Sequence, residues 1–227
     1  MLLSTYVKPF IGNAAFAVWI LAILLHIVMI LYFTVTFIVK LQMPKVFASY
    51  FIVYVGIAVA AVTAPAFGRL TIGAAAFWFG LISLVVLLIL VTYRYINFKE
   101  IPEPAKPLIC IYAAPASLCI AGYTQSVETK SYGLLIGLMI VAAILYVFSL
   151  VKAVTYLKLP FYPSYASFTF PFVISAIAMK QASACLMNMG RPISFLSGVV
   201  TIETVIAVLF VAYVFIRFMG FLFAGKK

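Results

Sequence analysis

The feature that most restricts this chain is a helix-weakening residue placed at the same point in three related apolar stretches. Pro44–Ala64 (PKVFASYFIVYVGIAVAAVTA), Pro104–Tyr123 (PAKPLICIYAAPASLCIAGY) and Pro160–Ala182 (PFYPSYASFTFPFVISAIAMKQA) each open with proline and run apolar and aromatic. Their central breakers are Gly56, Pro115 and Pro171, spaced by 59 and 56 residues. Behind each stretch comes a longer, plainer apolar run ending in Arg94, Lys152 or Arg217. A period of this size marks a repeated helical hairpin. Broken helices beside straight ones, repeated about an axis, can line a pore.

The setting must be a membrane. The chain is 67% hydrophobic and 8% charged, and its apolar runs reach the roughly 20 residues that a helix needs to cross a bilayer. Barrel strands alternate over about 10 residues and do not fit runs of this length. We therefore expect an all-α integral membrane protein, one membrane domain over 1–227, with seven spans near 11–39, 47–66, 71–95, 107–124, 132–156, 163–186 and 194–222.

The net charge of +11 would suit nucleic acid, but the cations are distributed as in a membrane protein. One end of the bundle collects Lys40, Lys45, Arg94, Lys99, Lys106, Lys152, Lys158, Arg217, Lys226 and Lys227; the other has Lys8, Arg69, Lys130 and Arg191. Cytoplasmic loops carry the excess of Lys and Arg. The expected topology is multi-pass in the cell membrane, N-terminus outside and C-terminus cytoplasmic. Anionic lipid head groups, rather than nucleic acid, are the expected partners of the basic face.

Chemistry is scarce. The chain has no aspartate, and its acids are Glu100, Glu103, Glu128 and Glu203. Carboxylate dyads, Ser-His-Asp triads and metal clusters have almost nothing to be built from. Cys110, Cys119 and Cys185 lie inside spans without ligand spacing and read as buried thiols. Neither a cofactor nor a metal is expected, and the chain does not read as an enzyme. His26, alone in the first span, reads as a packing histidine. Lys180 and Glu203 are the charges deep inside spans. Three readings of Lys180 stay open: an ion pair with Glu203, an anion-attracting cation at the outer pore mouth, or a snorkelling side chain. The aromatics ahead of the breakers (Phe51 and Tyr54, Tyr112, Phe168 and Phe170) are candidate pore-lining residues or core.

The segments FIVYVGIAVAAVTAPAF, IPEPAKPLICIYAAPASLCIAGY and LPFYPSYASFTFPFVISAIA resemble bacterial members of the tellurite-resistance/dicarboxylate transporter family. These members are often labelled exfoliative-toxin-A/B-like and are related to plant slow anion channels. The resemblance implies ten helices in five hairpins, with kinked inner helices around a pore, straight outer helices and a homotrimeric assembly. It implies transport of small anions: chloride, nitrate, sulfite, tellurite or C4-dicarboxylates such as malate. It also singles out Phe170 within Phe168-Thr169-Phe170-Pro171, because the family's phenylalanine before this proline occludes the pore. On this pattern the chain holds the last seven helices, with the first three missing, or is a genuine seven-helix protein. A fragment or subunit that needs partner helices is one alternative function. A heptahelical receptor is another, although the seventh span lacks a lysine for a retinal Schiff base.

Overall fold

The computed structural model describes residues 1–224, which form helices and short connections. Lys226 and Lys227, expected on the cation-rich end, lie outside the described residues. A leading helix α1 (Leu2–Ile11) turns at Gly12, whose φ of 55° suits glycine, into α2 (Ala14–Phe33). A π-helical turn over Thr34–Ile38 extends α2. Three straight helices follow at intervals: α5 (Leu70–Asn97), α7 (Tyr132–Tyr156) and α9 (Leu196–Ala224).

Between them lie the three broken segments. The second span joins α3 (Tyr50–Tyr54), a 3₁₀ turn over Val55–Ala58, α4 (Val59–Thr63) and a second 3₁₀ turn over Ala64–Phe67. The fourth begins with ten residues of 3₁₀-helix, Glu103–Tyr112, and continues as α6 (Ala113–Ser126). The sixth begins as 3₁₀ over Pro163–Phe168 and becomes α8 (Phe170–Asn188). Pro115 and Pro171 thus fall in the first turn of α6 and α8, where a missing N–H costs least. They mark a change of helix type rather than a bend inside one α-helix. Gly56 does the same within its 3₁₀ turn.

Among the described residues seven helices are long and apolar enough to cross a membrane, Ala14–Ile38 being the first and Leu196–Phe223 the last. Burial separates them into two classes. In the most apolar part of the second, fourth and sixth, 50%, 89% and 56% of residues are buried, against 17%, 33%, 33% and 22% in the others. The broken segments are therefore the inner layer and the straight helices the outer one. α6 is the centre of the array, packing against α4, α5, α7 and α8.

Small residues let the layers approach. A Cβ on Gly122 would come 2.9 Å from the Ala61 methyl, and one on Gly80 would come 3.2 Å from that of Ala58. Close backbone approach of this kind is how helices associate in lipid, where apolar burial supplies little drive between them. The 3₁₀ leads of the fourth and sixth spans are laced together by polar side chains. Ser164 Oγ donates to the Pro104 carbonyl at 2.5 Å, Ser167 Oγ to that of Pro107 at 2.6 Å, and Tyr162 Oη to Glu103 at 2.7 Å. The two serine bonds satisfy carbonyls that irregular helix leaves open, as backbone at membrane depth requires, while the tyrosine bond goes to a carboxylate.

The terminal cations also have work inside the structure. Arg94 is fully buried and donates to the carbonyls of Phe98 (3.1 Å), Pro44 (3.0 Å) and Glu100 (3.3 Å). Its guanidinium sits 4.8 Å from the Phe47 ring centroid and 5.0 Å from that of Tyr95. It ties two loops together instead of facing head groups. At the opposite end, Lys130 Nζ caps the C-terminus of α6 through the carbonyls of Tyr123, Thr124 and Val127. Burial there lowers its pKa from the ordinary lysine value.

Candidate functional site

The three breakers converge. Gly56, Pro115 and Pro171 line one cavity of about 560 Å³, together with Phe51, Val55, Ile111, Phe170 and a residue of the first span, His26. The change from 3₁₀ to α geometry in the fourth and sixth spans occurs at this wall, so the first turns of α6 and α8 border it. Its side-chain lining is apolar apart from His26 and the hydroxyls of Ser164 and Ser167, which are already spent on carbonyls, and Met1 also borders it. Among the described residues no carboxylate borders it.

The two phenylalanines of the Phe-Thr-Phe-Pro run part company. The 3₁₀ lead ends at Phe168 and α8 begins at Phe170, so the two rings belong to different elements and face different ways. Phe168 is fully buried, 4.8 Å from the Tyr165 ring and 5.9 Å from that of Phe210. Phe170 turns to the cavity and is 44% exposed.

Phe51 combines two roles. It borders the cavity while only 2% exposed, held edge-on against Tyr112 at 5.2 Å.

His26 was expected to be a packing residue, and its bonding is that of one: Nε2 donates to the Val53 carbonyl at 2.9 Å. The carbonyl can only accept, so Nε2 carries the proton. The imidazole nevertheless reaches the cavity, which the sequence reading missed. It occupies the space beside Gly56, where a Cβ would stand 3.2 Å from His26 Cε1. Glycine therefore serves there as a seat for the ring as much as a breaker. A bulky polar side chain on the first span facing a lone glycine in the next was the available clue.

Three expected pore-lining residues are not at this cavity. Tyr54 closes α3 just before the 3₁₀ turn that holds Gly56, and it turns to the first span. There its hydroxyl meets Thr34 Oγ1 at 2.7 Å and its ring stands edge-on to Phe33 at 6.0 Å. Tyr112 is drawn to the outer layer by Thr92 Oγ1 (3.1 Å) and by the rings of Phe148 (5.6 Å) and Tyr95 (6.1 Å). Lys180 follows Pro171 by nine positions, about half a turn away around α8. It is exposed on a surface shared with Val173, Ile177 and Val208.

The ion pair between Lys180 and Glu203 is not formed. Glu203 is 5% exposed, near Ser175 and Tyr146, and its Oε2 has no hydrogen-bond partner. Ser175 and Lys180 lie on different faces of α8, five positions or about 140° apart, so a carboxyl facing one cannot meet the other.

These features define a multi-pass, all-helical membrane protein with an inner layer of broken helices around an apolar cavity. Residues 1–219 match the voltage-dependent anion channel family, and the chain belongs to it. No curated protein and no solved structure matches the chain. The family is one of channels and transporters rather than enzymes.

Proposed function

We propose that the cavity at Gly56, Pro115 and Pro171 is part of a pathway for small anions, with the Phe170 ring as its gate. The observation that carries this reading is the convergence of three helix breakers and one exposed phenyl ring on a cavity that no acid borders among the described residues. A carboxylate-free, apolar constriction admits an anion more readily than a cation, which would need acidic rings or aligned carbonyls. A phenyl ring across such a passage blocks it sterically and strips water from an entering ion. The substrate belongs to the set that the family resemblance suggests: chloride or nitrate, sulfite, tellurite, or a C4-dicarboxylate such as malate. In this reading the protein sits in the cell membrane as a homotrimer, with the Lys99 and Lys158 end in the cytoplasm and Lys130 outside.

The test is flux. The purified protein, reconstituted in liposomes with an anion-quenched dye, should pass chloride or nitrate in preference to sodium. Equal cation flux would sink the reading. The exposure of Phe170 favours a second version, in which further helical surface completes the wall. Folded, purified chain that passes no anion until a partner chain is co-expressed would support that version over the first.

A further inference from the structure

A second cavity, also about 560 Å³, lies between the outer helices α5 and α7 and the 3₁₀ lead of the fourth span. The two cavities meet the same ring pair: Phe51 borders the first and Tyr112, packed edge-on against it, borders the second. Its outer rim is apolar and outward-facing: Ile96 is 63% exposed and Ile144 64%. In a membrane that rim meets acyl chains. Its end is not apolar. Lys99, just past α5, and Lys152, near the end of α7, both border it.

The Lys152 ammonium stands 5.8 Å from the ring of Phe148, another wall residue, which holds the charge at the slot. Among the described residues neither lysine pairs with a glutamate. Glu103, close to Lys99 in the chain, accepts instead from Tyr162. Two cations that form no ion pair among the described residues, at one end of an apolar slot, match the shape and charge of one kind of molecule.

We propose that this slot binds an anionic phospholipid, with its acyl chain along Ile96, Ile144 and Phe148 and its phosphate between Lys99 and Lys152. A neutral lipid could fill the apolar part but would leave both ammoniums unanswered. A free phosphate could answer them but would leave the slot empty. The site requires the membrane setting and not the pore, so it stands or falls separately from anion flux.

Native mass spectrometry of the full chain in detergent, titrated with phosphatidylglycerol or phosphatidylcholine, tests it. Phosphatidylglycerol should be retained preferentially. Lys99→Gln with Lys152→Gln should weaken its binding roughly thirtyfold, the combined attraction of two basic side chains for an anionic surface. Lys99→Arg with Lys152→Arg should preserve it. Lys45→Gln with Lys158→Gln, at the same end but outside the slot, should change it little. Ile144→Trp fills the slot without touching charge and should also reduce binding. Equal retention of the two lipids by the unmodified chain would overturn the proposal. So would an equal loss in the Lys45/Lys158 control, undiminished binding by Ile144→Trp, or glycerol phosphate binding as well as the lipid.

Discussion

Replacing Phe170 by alanine separates a gating ring from a packing ring, because Phe168 supplies a matched comparison two residues away. Phe168 is fully buried among Tyr165 and Phe210. Truncating such a ring leaves a cavity and costs about 3–5 kcal/mol. Phe170 is 44% exposed and borders a cavity that already exists. It has fewer contacts to lose, so Phe170→Ala should cost roughly 2–3 kcal/mol, the exposed fraction being discounted from the same scale. Thermal unfolding in detergent would read both numbers. Flux should move the other way. If the ring is the barrier, its removal widens and wets the constriction, and dye-reported anion entry into liposomes should rise several-fold for Phe170→Ala. Phe168→Ala should lower the yield of folded protein and raise nothing. A rise for Phe168→Ala alone would transfer the gate to that residue. No rise in either variant, with folded protein confirmed, would refute the aromatic gate.

Other substitutions probe the scaffold. Gly73→Ala places a methyl against Ser126 Oγ and 2.7 Å from the Ala64 methyl, so it should destabilise by about 1–3 kcal/mol, read as a lowered Tm. Arg94→Lys keeps the charge but loses the planar fork that reaches three carbonyls; a loss of roughly 2–4 kcal/mol is expected, and an unchanged Tm would show the tie is idle. Glu203→Gln removes a buried acid whose Oε2 has no partner and should leave Tm unchanged or raised, whereas a sharp fall would reveal a partner for the carboxylate. Lys130→Cys should react with an impermeant maleimide on intact cells, and labelling only after permeabilisation would invert the proposed topology.

Much of the layering was legible because proline and glycine act locally. The breakers Gly56, Pro115 and Pro171 sit where the helix type changes, and the segments that carry them are the buried ones. Their mechanical role differs from the expected kink. The prolines begin α-helices after a 3₁₀ lead, and that lead could be anticipated only from the cluster Pro102, Pro104 and Pro107 and from Pro160 and Pro163. Facing was less legible for a physical reason. In a soluble helix the apolar stripe points to the core, but a helix in lipid is apolar all round, so periodicity no longer reports direction. Tyr54 and Tyr112 illustrate this: their rings pack on the first span and the outer layer, guided by single hydroxyl partners, Thr34 and Thr92.

Lys180 and His26 show the same limit of a sequence from opposite sides, and one cause covers both. Position along a helix axis can be counted from sequence at about 1.5 Å per residue, and by that measure Lys180 and Glu203 stand at similar depth. Position around the axis decides contact, and it puts Lys180 on an outer surface while Glu203 is buried near Ser175. His26 was assigned to packing because its helix is an outer one. Yet the glycine opposite it removes the side chain that would have closed the gap, and the imidazole reaches the cavity through that opening. The residues that best locate the cavity in this chain are therefore those with least side chain or least backbone freedom. A glycine or proline in the inner layer fixes where the wall thins, and the aromatic and charged neighbours take up whatever directions remain.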